Sequence, residues 1–396
     1  MPIPSPFHAK TSALCHSLLW KDWAGYYAVC SYETIPDSEY YALRHSAGLI
    51  DVTPLFKYDI TGKDAARFLA RATSRDITKL KPGRVTYLCW LDDEGKVVDD
   101  GTVSNLGDGL YRLTSAEPSL SWFSRLTRGF DVKIEDTSSK IPVLSLQGPN
   151  SRGILKSCVE ADMDALKFFG VVKTKLSGLD VWVSRTGYTG DLGFEVWTSD
   201  TNAEKVYDAL LVAGKPYGMM PAGLDAMDVT RIEAGFIMNG VDYFSANHCL
   251  IEARKSTPYE IGLGWTVELD RTPFVGQEAL RAELSRGSEY QLVGLDIDWL
   301  ETEALFNEYG LPPELGSKGW RDGRPVYDQS GHWIGMATSG AWSPTLKRNL
   351  ALAQVKTPFA KEGTKLRIEM TAMYRRHMVT ATVVKTPFFN PPRKRS

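Results

Sequence analysis

Two stretches of this chain combine residue types that do chemistry. The first is Val97-Val98-Asp99-Asp100-Gly101-Thr102-Val103, a carboxylate pair inside an apolar run. Charges in such a run are costly unless they are paired or functional. The run reads as a strand, so Asp99 and Asp100 leave on opposite faces. They are therefore not expected to share a proton, and one of them should face a cleft. The second stretch is Arg185 to Trp197, where Gly187, Gly190 and Gly193 lead into Phe194-Glu195-Val196-Trp197. The glycines permit positive φ and a close approach of backbone to a flat ligand. Strand alternation then puts Glu195 and Trp197 on one face. A carboxylate beside an indole suits a flat heterocycle with two adjacent N–H donors: the carboxylate accepts both hydrogen bonds and the ring stacks.

Other polar clusters read as structural. Asp228 and Arg231 stand three residues apart on a helix expected over 222–234, the spacing of a local ion pair. Ala337 to Pro344 reads as a hydroxyl-rich turn, and Arg393-Lys394-Arg395 as a solvated tail. The 5 cysteines form no C-x-x-C pair and the 6 histidines are scattered, so no metal site is expected. No dinucleotide fingerprint, P-loop or G-x-S-x-G elbow is present. With 46 Lys and Arg against 48 Asp and Glu, no net field favours nucleic acid or an anionic membrane. No apolar run is long enough to span a bilayer and no secretory leader is evident, so a soluble cytoplasmic protein is expected.

At 396 residues the chain needs more than one core to hold these groups. Short strands and helices alternate from Tyr40 to Ala234. They include a hairpin of Val85 to Leu91 and Val97 to Val103 across Asp92-Asp93-Glu94-Gly95, which carries the Asp pair. This is an α+β pattern. After Gly287 strands dominate, separated by Pro and Gly turns, and a C-terminal β-barrel or sandwich is expected.

In order along the chain, several segments resemble the folate-binding aminomethyltransferase family, which includes the glycine cleavage T-protein and folate-dependent demethylases such as the dimethylsulfoniopropionate demethylase. They are Leu49-Ile50-Asp51-Val52, Gly95 to Asp100, Leu146-Gln147-Gly148-Pro149, Gly187-Tyr188-Thr189-Gly190 with Gly193-Phe194-Glu195, and Arg231 to Gly235. Further on come Thr257 to Leu263, Phe274-Val275-Gly276, Thr338-Ser339-Gly340 and Ser343 to Lys347. The resemblance spans Tyr40 to Phe389. It implies a three-domain cloverleaf around a central folate channel: residues 1–54 with 140–285, residues 55–139 carrying the Asp pair, and a barrel over 286–396.

The resemblance also implies roles. Asp100 is the essential carboxylate and Glu195 the pterin ligand, with Tyr87, Leu55, Tyr188 and Trp197 contacting the cofactor, tetrahydrofolate. Ser115 and Trp342 fall on the substrate side. Two positions depart from the T-protein pattern. Met227 stands where a folate-contacting arginine is usual, and Thr114-Ser115-Ala116 replaces Ser-Asn-Ala. The segment Phe244 to Ser256 is also longer than usual. These departures shift the expectation towards a tetrahydrofolate-dependent demethylase taking a one-carbon group from a small methylated amine, sulfonium or ether. The alternatives are a glycine-cleavage aminomethyltransferase served by a lipoylated carrier protein, and a folate-binding protein without transferase activity. A monomer or homodimer is expected.

Overall fold

The computed structural model describes residues 1–313 and 315–396. The Asp pair lies on the long strand Val97–Gly107 of a five-stranded antiparallel sheet. The strand order is Arg84–Leu91, Val97–Gly107, Leu110–Ser115, Phe56–Thr61, Lys133–Asp136. One face of that sheet is apolar because Leu88, Trp90, Val103 and Leu113 alternate inwards, and they bury Phe68 and Leu69 of the helix Ala65–Ala72 with Phe123 of the helix Leu120–Arg125.

Glu195 belongs to a second sheet of six strands, ordered Val171–Leu176, Leu179–Ser184, Gly193–Trp197, Val143–Gln147, Gly48–Asp51, Met220–Pro221. The last pair alone is parallel. Leu144, Leu146, Phe194 and Val196 pack beneath the helices Ser151–Cys158 and Ala203–Gly214. The third unit is a closed barrel of six strands between Tyr290 and Val384, filled by residues such as Leu295, Val326, Ala353, Ile368 and Ala381. The fold is thus α+β with a C-terminal β-barrel. Sequence reasoning did not anticipate the N-terminal hairpin of Leu19–Trp23 and Tyr26–Ser31 or the helices Gln277–Arg286 and Trp299–Asn307.

The helix Leu224–Glu233 joins the units, and of its ten residues only Asp225 is not buried. A helix buried all round must pair each of its charges. Arg231 therefore does more than the expected local pairing. It bonds Asp228 at 2.8 Å and also Asp242 at 2.6 Å. Glu233 accepts from Arg44, Tyr40 and Ser343.

Two expectations are corrected here. The segment expected as a hydroxyl-rich turn is instead part of the barrel strand Trp333–Ser343, and its Thr338 and Ser339 hydroxyls each donate to Asp242 Oδ1 at 2.6 Å. The basic tail is not free in solvent but tied down by contacts, although Arg395 stays exposed. Arg393 forks onto Asp191 at 2.7 and 2.8 Å, and the Lys394 ammonium sits over the Phe236 ring at 4.7 Å. Buried acceptors and an aromatic face, all distant in sequence, hold it down. Among the described residues, no helix is long and apolar enough to cross a membrane.

Candidate active site

The hairpin register sets up the carboxylate cluster. Cys89 lies opposite Asp100 and Tyr87 opposite Thr102, so Tyr87 and Asp100 are diagonal neighbours on one face. The Tyr87 hydroxyl donates to Asp100 Oδ2. The Tyr243 hydroxyl, arriving from the segment after the central helix, donates to Asp100 Oδ1. The same Tyr243 oxygen stands 3.2 Å from Asp99 Oδ1.

The two carboxylates leave the strand in different directions, in line with the strand alternation, and one phenol contacts both. A register shift between Trp90 and Leu91 lies just before the pair, and such a bulge re-aims the side chains beside it. Asp99 is fully buried. It accepts from Asn239 at 2.8 Å, from the Glu117 amide at 3.0 Å and from the Asp100 amide at 2.9 Å. Burial first, then the neighbouring Asp100 charge, push its carboxyl up to about 8. Burial also raises Asp100, while the donors Tyr243 and Tyr87 lower it. Among the described residues no lysine or arginine pairs with either group, so phenols and amides carry the stabilisation.

Aromatic rings extend the cluster outwards. Tyr87 stacks on Trp265 with centroids 5.8 Å apart and planes at 16°, and the Arg75 guanidinium lies 5.2 Å from the Trp265 ring. Trp265 keeps 61% of its surface exposed, which leaves an open aromatic face beside the carboxylates. Tyr188 stacks on Phe236 at 5.6 Å and donates to the Ile237 carbonyl.

On the second sheet, Glu195 Oε2 accepts from Thr186 at 2.8 Å and Ser184 at 3.4 Å. Burial raises its pKa, and Thr186, Ser184 and Trp197 act against that as donors. The buried Lys57 also faces it electrostatically. Gly190 takes the positive φ expected, 75°, but Gly187 and Gly193 serve a different purpose. A Cβ on Gly187 or Gly193 would stand 2.0 or 2.1 Å from Gln147 Oε1, so these glycines make room for the fully buried Gln147 side chain and not for a ligand. Gln147 in turn donates to the Thr186 carbonyl at 3.2 Å and accepts from Thr189 at 3.0 Å, which fixes the loop ahead of Glu195.

Residues 8–271 match the model of the GCVT N-terminal domain, and residues 310–390 that of the glycine cleavage T-protein C-terminal barrel domain. The chain belongs to the glycine cleavage T-protein family. It is 32% identical over 379 residues to an aminomethyltransferase of Bacillus velezensis, covering 94% of each chain. It is 34% identical over 356 residues to one of Herpetosiphon aurantiacus, covering 89% of each. Over 393 residues it is 31% identical to one of Chloroherpeton thalassium, covering 98% of this chain and 99% of that one. The fold matches the crystal structure of glycine cleavage system aminomethyltransferase T from Bartonella henselae with a TM-score of 0.84 at 23% identity, over 98% and 99% of the two chains. These relatives give no support to the demethylase branch that the sequence departures suggested.

Within the T-protein fold the expected site residues fall into groups. Asp100 and Tyr87 are bonded to each other. Leu55, Tyr188 and Trp197 share the apolar cluster around Met227 and Ile232. Trp197 is only 4% exposed and has the Arg112 guanidinium 5.3 Å from its ring centroid. Ser115 is buried, with its hydroxyl donated to the Glu117 carbonyl at 2.8 Å. Trp342 packs on Trp299 at 5.1 Å, a contact within the C-terminal unit.

Sequence reasoning missed Tyr243, Asn239, Trp265 and Lys57. Trp265 follows the Thr257–Leu263 motif by two residues and could have been included with it. Tyr243 and Asn239 reach a pair more than a hundred residues away and carry no local signal.

The chain's own residues fit tetrahydrofolate. Glu195 is a largely buried carboxylate with Thr186 and Ser184 donating to one oxygen and Trp197 acting as a further donor, and the two oxygens' remaining lone pairs leave acceptor capacity for the N–H edge of a pterin. Trp265 and Tyr87 offer stacked rings beside the carboxylate that would face the transferred carbon.

Proposed function

We propose that this T-protein family member is a tetrahydrofolate-dependent aminomethyltransferase of the glycine-cleavage type, receiving its one-carbon group from a lipoylated carrier. Membership of the family makes the chain a one-carbon transferase. The observation that carries the finer reading is the near full-length match, at 31–34% identity, to aminomethyltransferases. Bound tetrahydrofolate supplies a nucleophilic nitrogen, N5, that accepts the one-carbon group. Glu195 would hold the pterin edge through its free acceptor positions. Asp100, clamped by two phenols, would face the reacting carbon and manage a proton there. Most of the acceleration would come from fixing both partners in line within a site of preorganised donors.

Two observations keep the demethylase as a second reading. Met227, where the resemblance places a folate-contacting arginine, is 6% exposed in an apolar cluster. Ser115, at the expected Asn position, has its hydroxyl already bonded. The test is to incubate the protein with tetrahydrofolate and an aminomethylated lipoyl carrier and to measure ammonia and methylene-folate. Equimolar ammonia and methylene-folate support the proposal. Methyl-folate formed from methylated amines, sulfoniums or ethers, with no ammonia from the carrier, would replace it by the second reading.

A further inference from the structure

Tyr243 is fully enclosed by Cys89, Ile237, Ile261 and Leu263, yet its hydroxyl reaches both carboxylates of the pair. One phenol carries one proton, and that proton is donated to Asp100 Oδ1. The oxygen's lone pair is then open towards Asp99 Oδ1 at 3.2 Å. Asp99 Oδ2 accepts from the Glu117 amide, while Asp99 Oδ1 accepts from Asn239 and the Asp100 amide. Tyr243 is therefore the side chain placed to accept a hydrogen bond from a protonated Asp99, since the other groups around that carboxyl are donors.

We infer that Asp99, Tyr243 and Asp100 form a proton relay, in which Asp99 stores a proton for the reaction at Asp100 and Tyr243 is the positioning residue that passes it. The resting arrangement is a carboxylic acid at Asp99, a phenol at Tyr243 and a carboxylate at Asp100. In the transfer, Asp99 gives its proton to Tyr243 Oη as Tyr243 gives its own to Asp100 Oδ1. Asp99 ends as carboxylate, Asp100 as carboxylic acid and Tyr243 again as phenol, so charge and protons balance. Asp100 then holds a proton to deliver when the transferred carbon leaves its donor.

The electrostatics agree with this resting arrangement, because burial and the Asp100 charge keep Asp99 protonated up to about pH 8. The ionisable groups facing the pair are Tyr87 and Cys89 from the neighbouring strand, Tyr188 from the glycine loop and Tyr58 from the strand Phe56–Thr61. Burial raises all four, so none titrates below Asp99. The relay rests on the reading that Asp100 serves the reacting carbon.

Two measurements test it in Tyr243→Phe, which keeps the ring packed in its cluster. The first needs no turnover: infrared difference spectra between pH 6 and 10 for wild type, Asp99→Asn and Tyr243→Phe. Wild type should show a carboxylic acid band lost with a midpoint near pH 8. Asp99→Asn should lack that band, and in Tyr243→Phe it should move, because its hydrogen-bond acceptor is gone. No such band at pH 7, or an unmoved band in Tyr243→Phe, overturns the relay.

The second is the pH profile of kcat. Tyr243→Phe should lose roughly 10²-fold in kcat, lose the limb near pH 8, and keep its tetrahydrofolate affinity. A retained limb overturns the relay. Full turnover in Asp100→Asn would instead overturn the assignment of Asp100, a separate failure.

Discussion

Lys57 is a buried amine at the junction of the two sheets, and its titration should be visible in stability. It lies on the strand Phe56–Thr61 with 1% of its surface exposed, and its side-chain amine donates to the Thr53 carbonyl at 2.7 Å. Burial drives its pKa from 10.5 down to about 7, opposed by the charges of Asp51, Asp136 and Glu195 and assisted by Arg112.

The sign follows from proton counting. Between about pH 7 and 10.5 the unfolded chain holds this proton and the folded protein does not, so stability from this group rises with pH. The slope approaches about 1.4 kcal/mol per pH unit. From pH 7.5 to 9.5 the stability of wild type minus that of Lys57→Met should climb by about 2–3 kcal/mol. Urea unfolding at several pH values, with unchanged m-values, measures the difference directly. A difference that stays flat across this window would refute the claim that Lys57 is neutralised by burial.

Three further outcomes are expected. Arg231→Met leaves Asp242 buried beside no cation and should cost about 3–5 kcal/mol in urea unfolding; a loss under about 1 kcal/mol would show that the barrel hydroxyls alone satisfy Asp242. Asp100→Asn keeps the shape of the cluster and should lower kcat about 10²–10⁴-fold with little change in tetrahydrofolate affinity; a matching collapse of affinity would recast Asp100 as a binding residue. Arg393→Ala releases the fork onto Asp191, and trypsin should cut the C-terminal tail faster than in wild type; an unchanged rate would mean that Lys394 and the backbone contacts hold the tail alone.

What could be read from the sequence divides along physical lines. The hairpin carrying Asp99 and Asp100 was legible because its alternation and its Asp92–Gly95 turn are local. The strand bearing Glu195 was legible for the same reason. The glycines before it were legible as special backbone, but their cause was not: Gln147, forty residues earlier, fills the space that side chains would need. Trp333–Ser343 reads as ending in a turn because it is rich in Ser, Thr and Gly. It stays a strand because Asp242 and Glu233, from another unit, satisfy its hydroxyls. The face rule separated the two carboxylates correctly but could not show a tyrosine from another segment bridging them.

The proposed folate seat is bounded by Glu195, and calorimetric titration of tetrahydrofolate into wild type and Glu195→Gln tests that most directly. Wild type should bind one tetrahydrofolate per chain. The variant, folded with an unchanged melting temperature, should bind about 10–150-fold more weakly, the equivalent of losing a charge-assisted contact of about 1.5–3 kcal/mol. Equal affinity in the two proteins, or no binding by wild type, would contradict the assignment of the site.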